Sequence, residues 1–296
     1  MKQTLKRAAL LLSTMLMAAA AALAVAQQKE PERTGGPYVP TPQVVVDEML
    51  RMAKVGPSDF VIDLGSGDGV IVLTAATKHQ ARGFGVDIDP ELVKLSNAEA
   101  KRRGVADRAS FQVQDVFKAD LSRATVLTLY LLPSMMTNLQ SKIYEELKPG
   151  TRVVSHDYHF GSDWQADDQM SFDVPEKEKV NGVPRATIYL WHIPAKIGGR
   201  WQLRIDAPGS GQYELAVKQR FQTFQGTVAA AGRSAKLDLT ELRGEVVRFA
   251  FTAGSGRNVF SGRVTGDTMQ GTVELATGKG TARWTAKRDT TQAATR

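Results

Sequence analysis

The 296-residue sequence contains no cysteine, which excludes disulfide bonds and metal sites with thiolate ligands. After residue 26 it has no apolar run long enough to cross a bilayer. It also lacks the G-x-G-x-x-G spacing of dinucleotide-binding folds. With 42% apolar and 23% charged residues, the remaining composition is that of an ordinary globular protein, and the length allows two domains.

The first 26 residues differ from the rest of the chain. Three basic residues within the first seven positions precede an apolar run over 8–26, which ends in Ala24-Val25-Ala26. A basic start, an apolar stretch and an A-x-A-like site together predict a secretory signal peptide that is cleaved before Gln27. An uncleaved N-terminal membrane anchor is the alternative. Both hypotheses place the following chain outside the cytoplasm, and we expect a periplasmic protein.

Charge is distributed unevenly along the chain. Residues 27–194 carry 19 basic and 23 acidic side chains, whereas residues 195–296 carry 16 basic and 8 acidic ones. A basic second half is suited to an anionic envelope partner such as lipid or polysaccharide. A solvated sheet face has the same composition, so this partner is one of two interpretations. No nucleic-acid partner is expected.

Strand-like and helix-like segments alternate between residues 37 and 194, after a polar linker over 27–36. The alternation predicts a doubly wound, Rossmann-like α/β sheet with parallel strands. Two later segments, joined through Asn181-Gly182, predict added antiparallel strands that make the sheet mixed. The predicted strands are 60–64, 82–87, 110–114, 125–131, 151–155, 171–174 and 186–193, and the predicted helices are 41–54, 70–78, 90–103 and 134–147.

A different pattern begins at Gly199. Apolar and polar residues alternate with period two over 199–288, and turn signals recur every 8–12 residues. This pattern predicts a second, all-β domain of seven or eight antiparallel strands, built as a small barrel or sandwich. Residues 289–296 form a polar tail.

The most informative motif is Asp63-Leu64-Gly65-Ser66-Gly67-Asp68-Gly69, which lies between a predicted strand and a predicted helix. Gly65 and Gly67 allow a tight turn in which the backbone closely approaches a bound nucleotide. An acidic residue at Asp63 disfavours a pyrophosphate and suits a cationic cofactor with a ribose and an amino-acid tail. S-adenosylmethionine has these properties, and Asp63 is placed to meet its methionine part.

Two further acidic residues follow predicted strands. Asp87 ends strand two, 18 residues after Gly69, where a carboxylate can accept hydrogen bonds from both ribose hydroxyls. Asp115 ends strand three, where it can accept from an adenine amino group while the backbone N–H of Val116 donates to the ring. Asp89, by contrast, is expected to cap the helix that begins at Pro90.

Two residues are candidates for the acceptor side of the site. Tyr130 lies at the end of predicted strand four and His156 follows predicted strand five, at the sheet edge where a transferred group lies in doubly wound folds. The sequence Leu131-Leu132-Pro133 differs from the Asn/Asp-Pro-Pro-Tyr motif of enzymes that methylate amides and adenine. No metal site is expected, because the spacing of the histidines matches no known ligand set.

Together these residues resemble the class I S-adenosylmethionine-dependent methyltransferases, and most of all the broad-specificity protein-lysine methyltransferases of archaea and their mitochondrial relatives. The resemblance covers residues 37–193 and is carried by segments 37–42, 63–69, 85–88 and 148–156. It implies that Tyr38 and Thr41 close over the cofactor. It also implies cofactor contacts at Asp63, Gly65, Gly67, Asp87 and Asp115.

We therefore expect an S-adenosylmethionine-dependent methyltransferase that acts on a lysine amine of a protein substrate. Two other hypotheses remain open. One is an exported, non-catalytic binding or envelope module built on a methyltransferase fold, since the cofactor is made in the cytoplasm. The other is a small-molecule methyltransferase on the same fold.

Overall fold

A computed structural model describes residues 36–208, 210–253, 256–276 and 280–290. The helices are α1 (Gln43–Met52), α2 (Val70–Lys78), α3 (Pro90–Arg102), α4 (Pro133–Glu146) and α5 (Pro175–Asn181), with a short 3-10 helix at Val116–Lys118. The first seven strands are β1 (Phe60–Leu64), β2 (Arg82–Asp87), β3 (Ala109–Val113), β4 (Val126–Leu129), β5 (Arg152–His156), β6 (Asp168–Asp173) and β7 (Arg185–His192).

Nine more strands complete the described chain. They are β8 (Gly199–Asp206), β9 (Gln212–Arg220), β10 (Thr223–Ala230), β11 (Arg233–Lys236), β12 (Leu239–Arg243), β13 (Val246–Ala253), β14 (Gly256–Thr265), β15 (Thr268–Glu274) and β16 (Thr281–Arg288). The predicted signal peptide over 1–26 lies outside the described residues. Within the described ranges, no helix is long and apolar enough to cross a membrane.

The first sheet has the strand order β3-β2-β1-β4-β5-β7-β6. Strands β1 to β5 pair in parallel with one another, and β7 is antiparallel to both β5 and β6. The strand order reverses between β1 and β4, so the crevice at their carboxyl ends is where this topology binds a ligand. The predicted mixed, doubly wound sheet is confirmed.

The parallel strands are apolar on both faces because helices cover both sides of the sheet. Along β1, Ile62 and Leu64 pack into one core cluster, whereas Val61 packs into a second cluster on the opposite face. Leu127 of β4 joins the first cluster and Val126 joins the second. This alternation fixes the register of β1, and so places Asp63 at the carboxyl end of the strand.

The connection between β6 and β7 runs through Asn181-Gly182, as predicted, but it also contains a helix that the sequence did not indicate. Helix α5 occupies this connection, and Gly182 ends it in the left-handed conformation with φ 74°. Pro175 opens the helix. The segment 175–181 carries too few apolar residues to show a helical period, which explains why its pattern was not informative.

Strands β8 to β16 form one antiparallel sheet with the order β11-β10-β9-β8-β16-β15-β14-β13-β12. The antiparallel prediction is confirmed, but the described part holds nine strands in a single curled sheet rather than seven or eight. The two sheet ends meet at the link between β11 and β12, where the Leu237 N–H donates to the Gly226 carbonyl and the Asp238 N–H donates to the Ala250 carbonyl. Aromatic side chains fill the inside of the curl, among them Trp201, Phe249, Phe260 and Trp284.

The turn between β9 and β10 contacts the loop over 157–167 that follows β5. Phe221, at this turn, stacks on Trp164 with ring centroids 4.4 Å apart and planes at 3°. Arg220 forms an ion pair with Asp163 at 2.5 Å. These contacts attach the curled sheet directly to the loop on the carboxyl side of β5.

Candidate functional site

The glycine-rich turn follows β1 at the carboxyl edge of the first sheet. Gly65 and Gly67 have φ values of 78° and 52°, in the left-handed region that glycine tolerates without steric cost. The backbone N–H groups of Gly65 and Ser66 both donate to the Val86 carbonyl at 2.9 Å. These bonds hold the glycine turn, as a backbone cradle, against the end of β2.

Asp87 joins the end of β2 to this turn. Its Oδ2 accepts a hydrogen bond from the Gly67 N–H at 2.9 Å, and its Oδ1 accepts from the Asp89 N–H at 2.9 Å. The structure therefore brings Asp87 and Gly67 together, as the spacing along the sequence suggests. Asp89 accepts from the N–H groups of Glu91 and Leu92, which confirms its expected role as a helix cap.

Asp63 is a buried carboxyl group at the base of the crevice, with 2% of its surface exposed. The Thr128 hydroxyl of the neighbouring strand β4 donates to its Oδ1 at 2.7 Å. Burial raises the pKa of Asp63 to about 7, and the negative charges of Asp87 and Asp68 act in the same direction. The crevice thus concentrates negative charge that an incoming cation would stabilise.

Tyr38 lies directly over the turn. A Cβ added at Gly67 would lie 2.4 Å from Tyr38 Cε2, so the ring occupies the space that a larger residue would need. Burial and the neighbouring carboxylate of Asp68, which accepts a hydrogen bond from the Tyr38 hydroxyl, raise the pKa of this phenol. Thr41 lies partly exposed, two residues before α1.

Asp115 and Val116 lie past the carboxyl end of β3. Asp115 caps the 3-10 helix, since its Oδ1 accepts from the Phe117 N–H at 2.9 Å. Val116 is buried. The structure thus gives Asp115 a local partner, while the adenine contacts of Asp115 and Val116 remain predictions.

Tyr130 and His156 meet at the carboxyl ends of β4 and β5. Their ring centroids are 4.1 Å apart, and Tyr158 stacks on Tyr130 at 6.3 Å. His156 is 1% exposed, and both of its ring nitrogens lack a hydrogen-bond partner among the residues that the structure describes. Burial lowers the pKa of His156 to about 4, so the ring is neutral at physiological pH.

Several residues of the site were not identified from the sequence. Asp68 contacts Tyr38 and acts on Asp63, and its place between two glycines of the motif was the available signal. Ser96 of α3 donates to the Gly67 carbonyl at 3.0 Å, although 29 residues separate the two. Only the folded chain shows the contact between Ser96 and Gly67.

The donor set of the crevice fits S-adenosylmethionine. Asp63, Asp68 and Asp87 supply negative charge for a sulfonium and an ammonium group, and a carboxylate beside a backbone cradle suits a ribose. The Ser66 hydroxyl is buried without a hydrogen-bond partner in the described part of the chain, so it has capacity for a ligand contact. A pyrophosphate would be repelled by the same three carboxylates.

Comparison with known proteins finds one domain family and several relatives. The ANTKMT methyltransferase domain matches residues 63–168. The chain is 46% identical over 123 residues to the protein-lysine N-methyltransferase of Saccharolobus islandicus (strain REY15A), covering 41% of this chain and 76% of that protein. It is 34% identical over 128 residues to the adenine nucleotide translocase lysine N-methyltransferase of Mus musculus, covering 43% of this chain and 56% of that protein.

A solved structure also matches, that of an RNA methyltransferase from Salinibacter ruber in complex with S-adenosyl-L-homocysteine. It is 48% identical and covers 54% of this chain and 96% of that one, with a TM-score of 0.48. The chain spans about three quarters of the Saccharolobus islandicus relative and a little over half of the Mus musculus relative. Both curated relatives are named lysine N-methyltransferases.

Proposed function

We propose that this chain, which belongs to the S-adenosylmethionine-dependent methyltransferase family of the Saccharolobus islandicus protein-lysine N-methyltransferase, methylates lysine side chains of a protein substrate. The carboxylate-lined crevice around Asp63, Gly67 and Asp87 carries the cofactor part of this proposal. The lysine acceptor is supported by the names of the Saccharolobus islandicus and Mus musculus relatives.

Methyl transfer requires an uncharged amine and a dry, aligned site. S-adenosylmethionine supplies the methyl group, and the amine lone pair forms the new N–C bond as the C–S bond breaks with its electron pair leaving on sulfur. Lysine has an ordinary pKa of about 10.4, so its ammonium must first lose a proton to solvent. The product nitrogen carries a positive charge, which it loses to solvent in the same way.

Tyr130 and His156 are proposed to line the acceptor side. The neutral imidazole of His156 has buried ring nitrogens without protein partners in the described residues, and one of them can accept a hydrogen bond from the amine. Its low pKa makes it a weak base, so its proposed role is to orient the lone pair of the amine. The phenol of Tyr130 packs against the same ring and shapes the entrance.

Methylation kinetics of Tyr130→Phe and His156→Ala variants test these roles. We expect His156→Ala to lower kcat by about 10- to 100-fold with little change in cofactor affinity, since a positioned hydrogen bond is lost at the acceptor only. Lys196→Met is a suitable control, because Lys196 forms an exposed ion pair with Glu145. Unchanged kinetics in both site variants would rule out the proposed acceptor site.

We also propose that the chain is exported, on the strength of the basic and apolar composition of residues 1–26. Export creates a conflict with the cytoplasmic supply of the cofactor, and a non-catalytic envelope module would resolve it. Calorimetric titration of the chain from residue 27 onward with S-adenosylmethionine separates the two hypotheses. Absence of binding at millimolar cofactor would favour the envelope module.

A further inference from the structure

Lys177 is a buried cation that the proposed methyl transfer does not use. Only 2% of this residue is exposed, and it lies on the short helix α5. Its Nζ donates to Asp157 Oδ2, and it also donates to the Arg185 carbonyl at 2.7 Å. A lysine that is removed from water to this extent is stable only when it is paired, so these two partners define its position.

Asp157 is held firmly between the two elements. Its φ of 62° lies in the left-handed region that non-glycine residues rarely adopt. The Asp157 N–H donates to the Thr187 carbonyl at 2.7 Å, and Asp157 Oδ1 accepts from the Thr187 N–H at 3.1 Å. Such a conformation persists only where surrounding contacts enforce it, and here Lys177 and β7 supply them.

The fixed carboxylate points toward His156. Asp157 Oδ2 lies 3.5 Å from His156 Nε2, a distance without a formed hydrogen bond. The charged groups that act on the imidazole are Asp157, which follows β5, and Lys177 from α5. The phenol of Tyr130, after β4, covers one side of the ring, and β7 pairs the apolar Ile188 with His156.

We infer that Lys177 and Asp157 form a charge pair beside His156, in which Lys177 holds the carboxylate next to the imidazole and keeps the ring uncharged at the acceptor side. This inference rests on the proposed lysine methylation. Asp157 alone would favour a protonated ring, and Lys177 cancels that effect at the same carboxylate oxygen. A neutral imidazole accepts a hydrogen bond from the amine, whereas a charged one repels the ammonium form as it enters the site.

Two variants, each of which removes one charge of the pair, test the inference. Lys177→Met leaves Asp157 unpaired beside His156, so the proton affinity of the ring rises; an opposite charge at this distance moves a pKa by about 1–3 units. Asp157→Asn removes the carboxylate while Lys177 stays, so the proton affinity falls below the wild-type value. Replacing both residues, Lys177→Met with Asp157→Asn, removes both charges and restores a neutral ring.

The direct readout is the NMR titration of the four histidine side chains, with the His156 signal assigned through a His156→Gln variant. We expect the His156 midpoint to rise by about one pH unit or more in Lys177→Met. It should fall in Asp157→Asn and return to the wild-type range in the double variant. A Lys177→Met midpoint equal to or below the wild-type value overturns the inference.

Methylation rates between pH 6 and pH 9 give the second readout. Relative to wild type, Lys177→Met should lose kcat at the acid end in proportion to the charged fraction of its ring. The loss reaches about tenfold at pH 6 if the His156 pKa rises by about three units, from about 4 to about 7. The rate should recover at the alkaline end, where the ring is uncharged. The double variant should regain the wild-type profile, which a purely structural role of the ion pair does not predict. If Lys177→Met does not fold, the double variant decides: a folded double variant with a depressed, pH-independent kcat contradicts the inference.

These readouts keep two failures apart. If wild-type protein methylates no lysine, the proposed function fails, yet the titration still shows whether the pair controls the charge of His156. If lysine is methylated and the midpoints do not move in opposite directions, only the inference about Lys177 and Asp157 fails. Lys196→Met, at an exposed ion pair, should leave both the His156 midpoint and the rate unchanged.

Discussion

Replacing Gly67 by alanine tests how the glycine turn and Tyr38 build the cofactor site. Gly67 has φ 52°, and an added Cβ would lie 2.4 Å from Cε2 and 2.9 Å from Cδ2 of Tyr38. No real Cβ makes contacts this short, so the Tyr38 ring must move. Because Tyr38 is 40% exposed, the ring can swing into solvent at small cost to stability.

The cost of backbone strain can therefore be measured separately from the effect of moving the Tyr38 ring. The left-handed conformation costs alanine about 1–2 kcal/mol at this position. The same cost applies at Gly104, since its φ is 67° and an added Cβ would meet nothing within 4 Å. Gly104→Ala is thus a matched control for backbone strain without displacement of Tyr38.

Calorimetry with S-adenosylmethionine and thermal unfolding are the assays. Both variants should unfold at similarly lower temperatures, but only Gly67→Ala should weaken cofactor binding, by about tenfold or ~1.4 kcal/mol. Tyr38→Ala should weaken binding to a similar degree, and the combined variant should add little, because the two changes act through one ring. Equal cofactor affinity in Gly67→Ala and Gly104→Ala would refute the reasoning.

The other predictions concern buried groups and the contact between the curled sheet and the loop over 157–167. Burial raises the pKa of Asp63 to about 7, well above its unfolded value near 3.9. The contribution of Asp63 to the free energy of unfolding should therefore decline as pH rises from about 4 to 7. Urea denaturation of Asp63→Asn should not show this decline. A bound cation favours the ionised carboxylate of Asp63, so the cofactor affinity of wild type should increase by up to about tenfold per pH unit as pH rises toward 7. The affinity of Asp63→Asn should not change with pH. The same slope in both proteins would contradict a contact between Asp63 and the cofactor. Phe221→Ala removes the stack on Trp164 and should raise KM for the protein acceptor while the cofactor Kd stays constant. An unchanged KM would show that the curled sheet does not influence acceptor binding. Lys177→Met leaves the partly exposed Asp157 carboxylate without its cation and should lower the free energy of unfolding by about 1–3 kcal/mol in chemical denaturation. No measurable loss would contradict the pairing of Lys177 with Asp157.

The parts of the fold that local patterns determine were predictable. The bounds of β1, α2 and β2 coincide with the predicted segments 60–64, 70–78 and 82–87. The glycine turn follows β1 and directly precedes α2, and Asp87 ends β2, so the sequence itself marks these boundaries. Helix α3 was equally clear, since Asp89 and Pro90 together define its start.

The parts that depend on tertiary contacts were not predictable. Helix α5 is short and polar, so no apolar period marks it in the sequence. In the folded chain, the buried side chain of Lys177 ties this helix to Asp157. The single curled sheet depends on the two-residue link over 237–238, which bonds to strands at both ends of the sheet order. Period-two alternation identifies such strands but carries no information about which of them pair.

The same distinction applies to the site. Asp63 and Asp87 could be assigned to one crevice because parallel strands bring their carboxyl ends to the same sheet edge. The partners that tune them, Thr128 and Asp68, required the folded chain, since a hydroxyl on the next strand or an acid within the turn has many possible roles. Contacts between distant residues therefore limit how far sequence reasoning reaches.

The most direct test of the central claim is one measurement on the purified chain from residue 27 onward. The chain is incubated with S-adenosylmethionine labelled in its methyl group and with lysine-containing protein acceptors, alongside Asp87→Asn as the cofactor-site control. We predict label on lysine side chains with wild type and a rate at least about tenfold lower with Asp87→Asn, whose Gly67 contact is weakened. Label on no acceptor, or equal labelling by both proteins, would contradict the account.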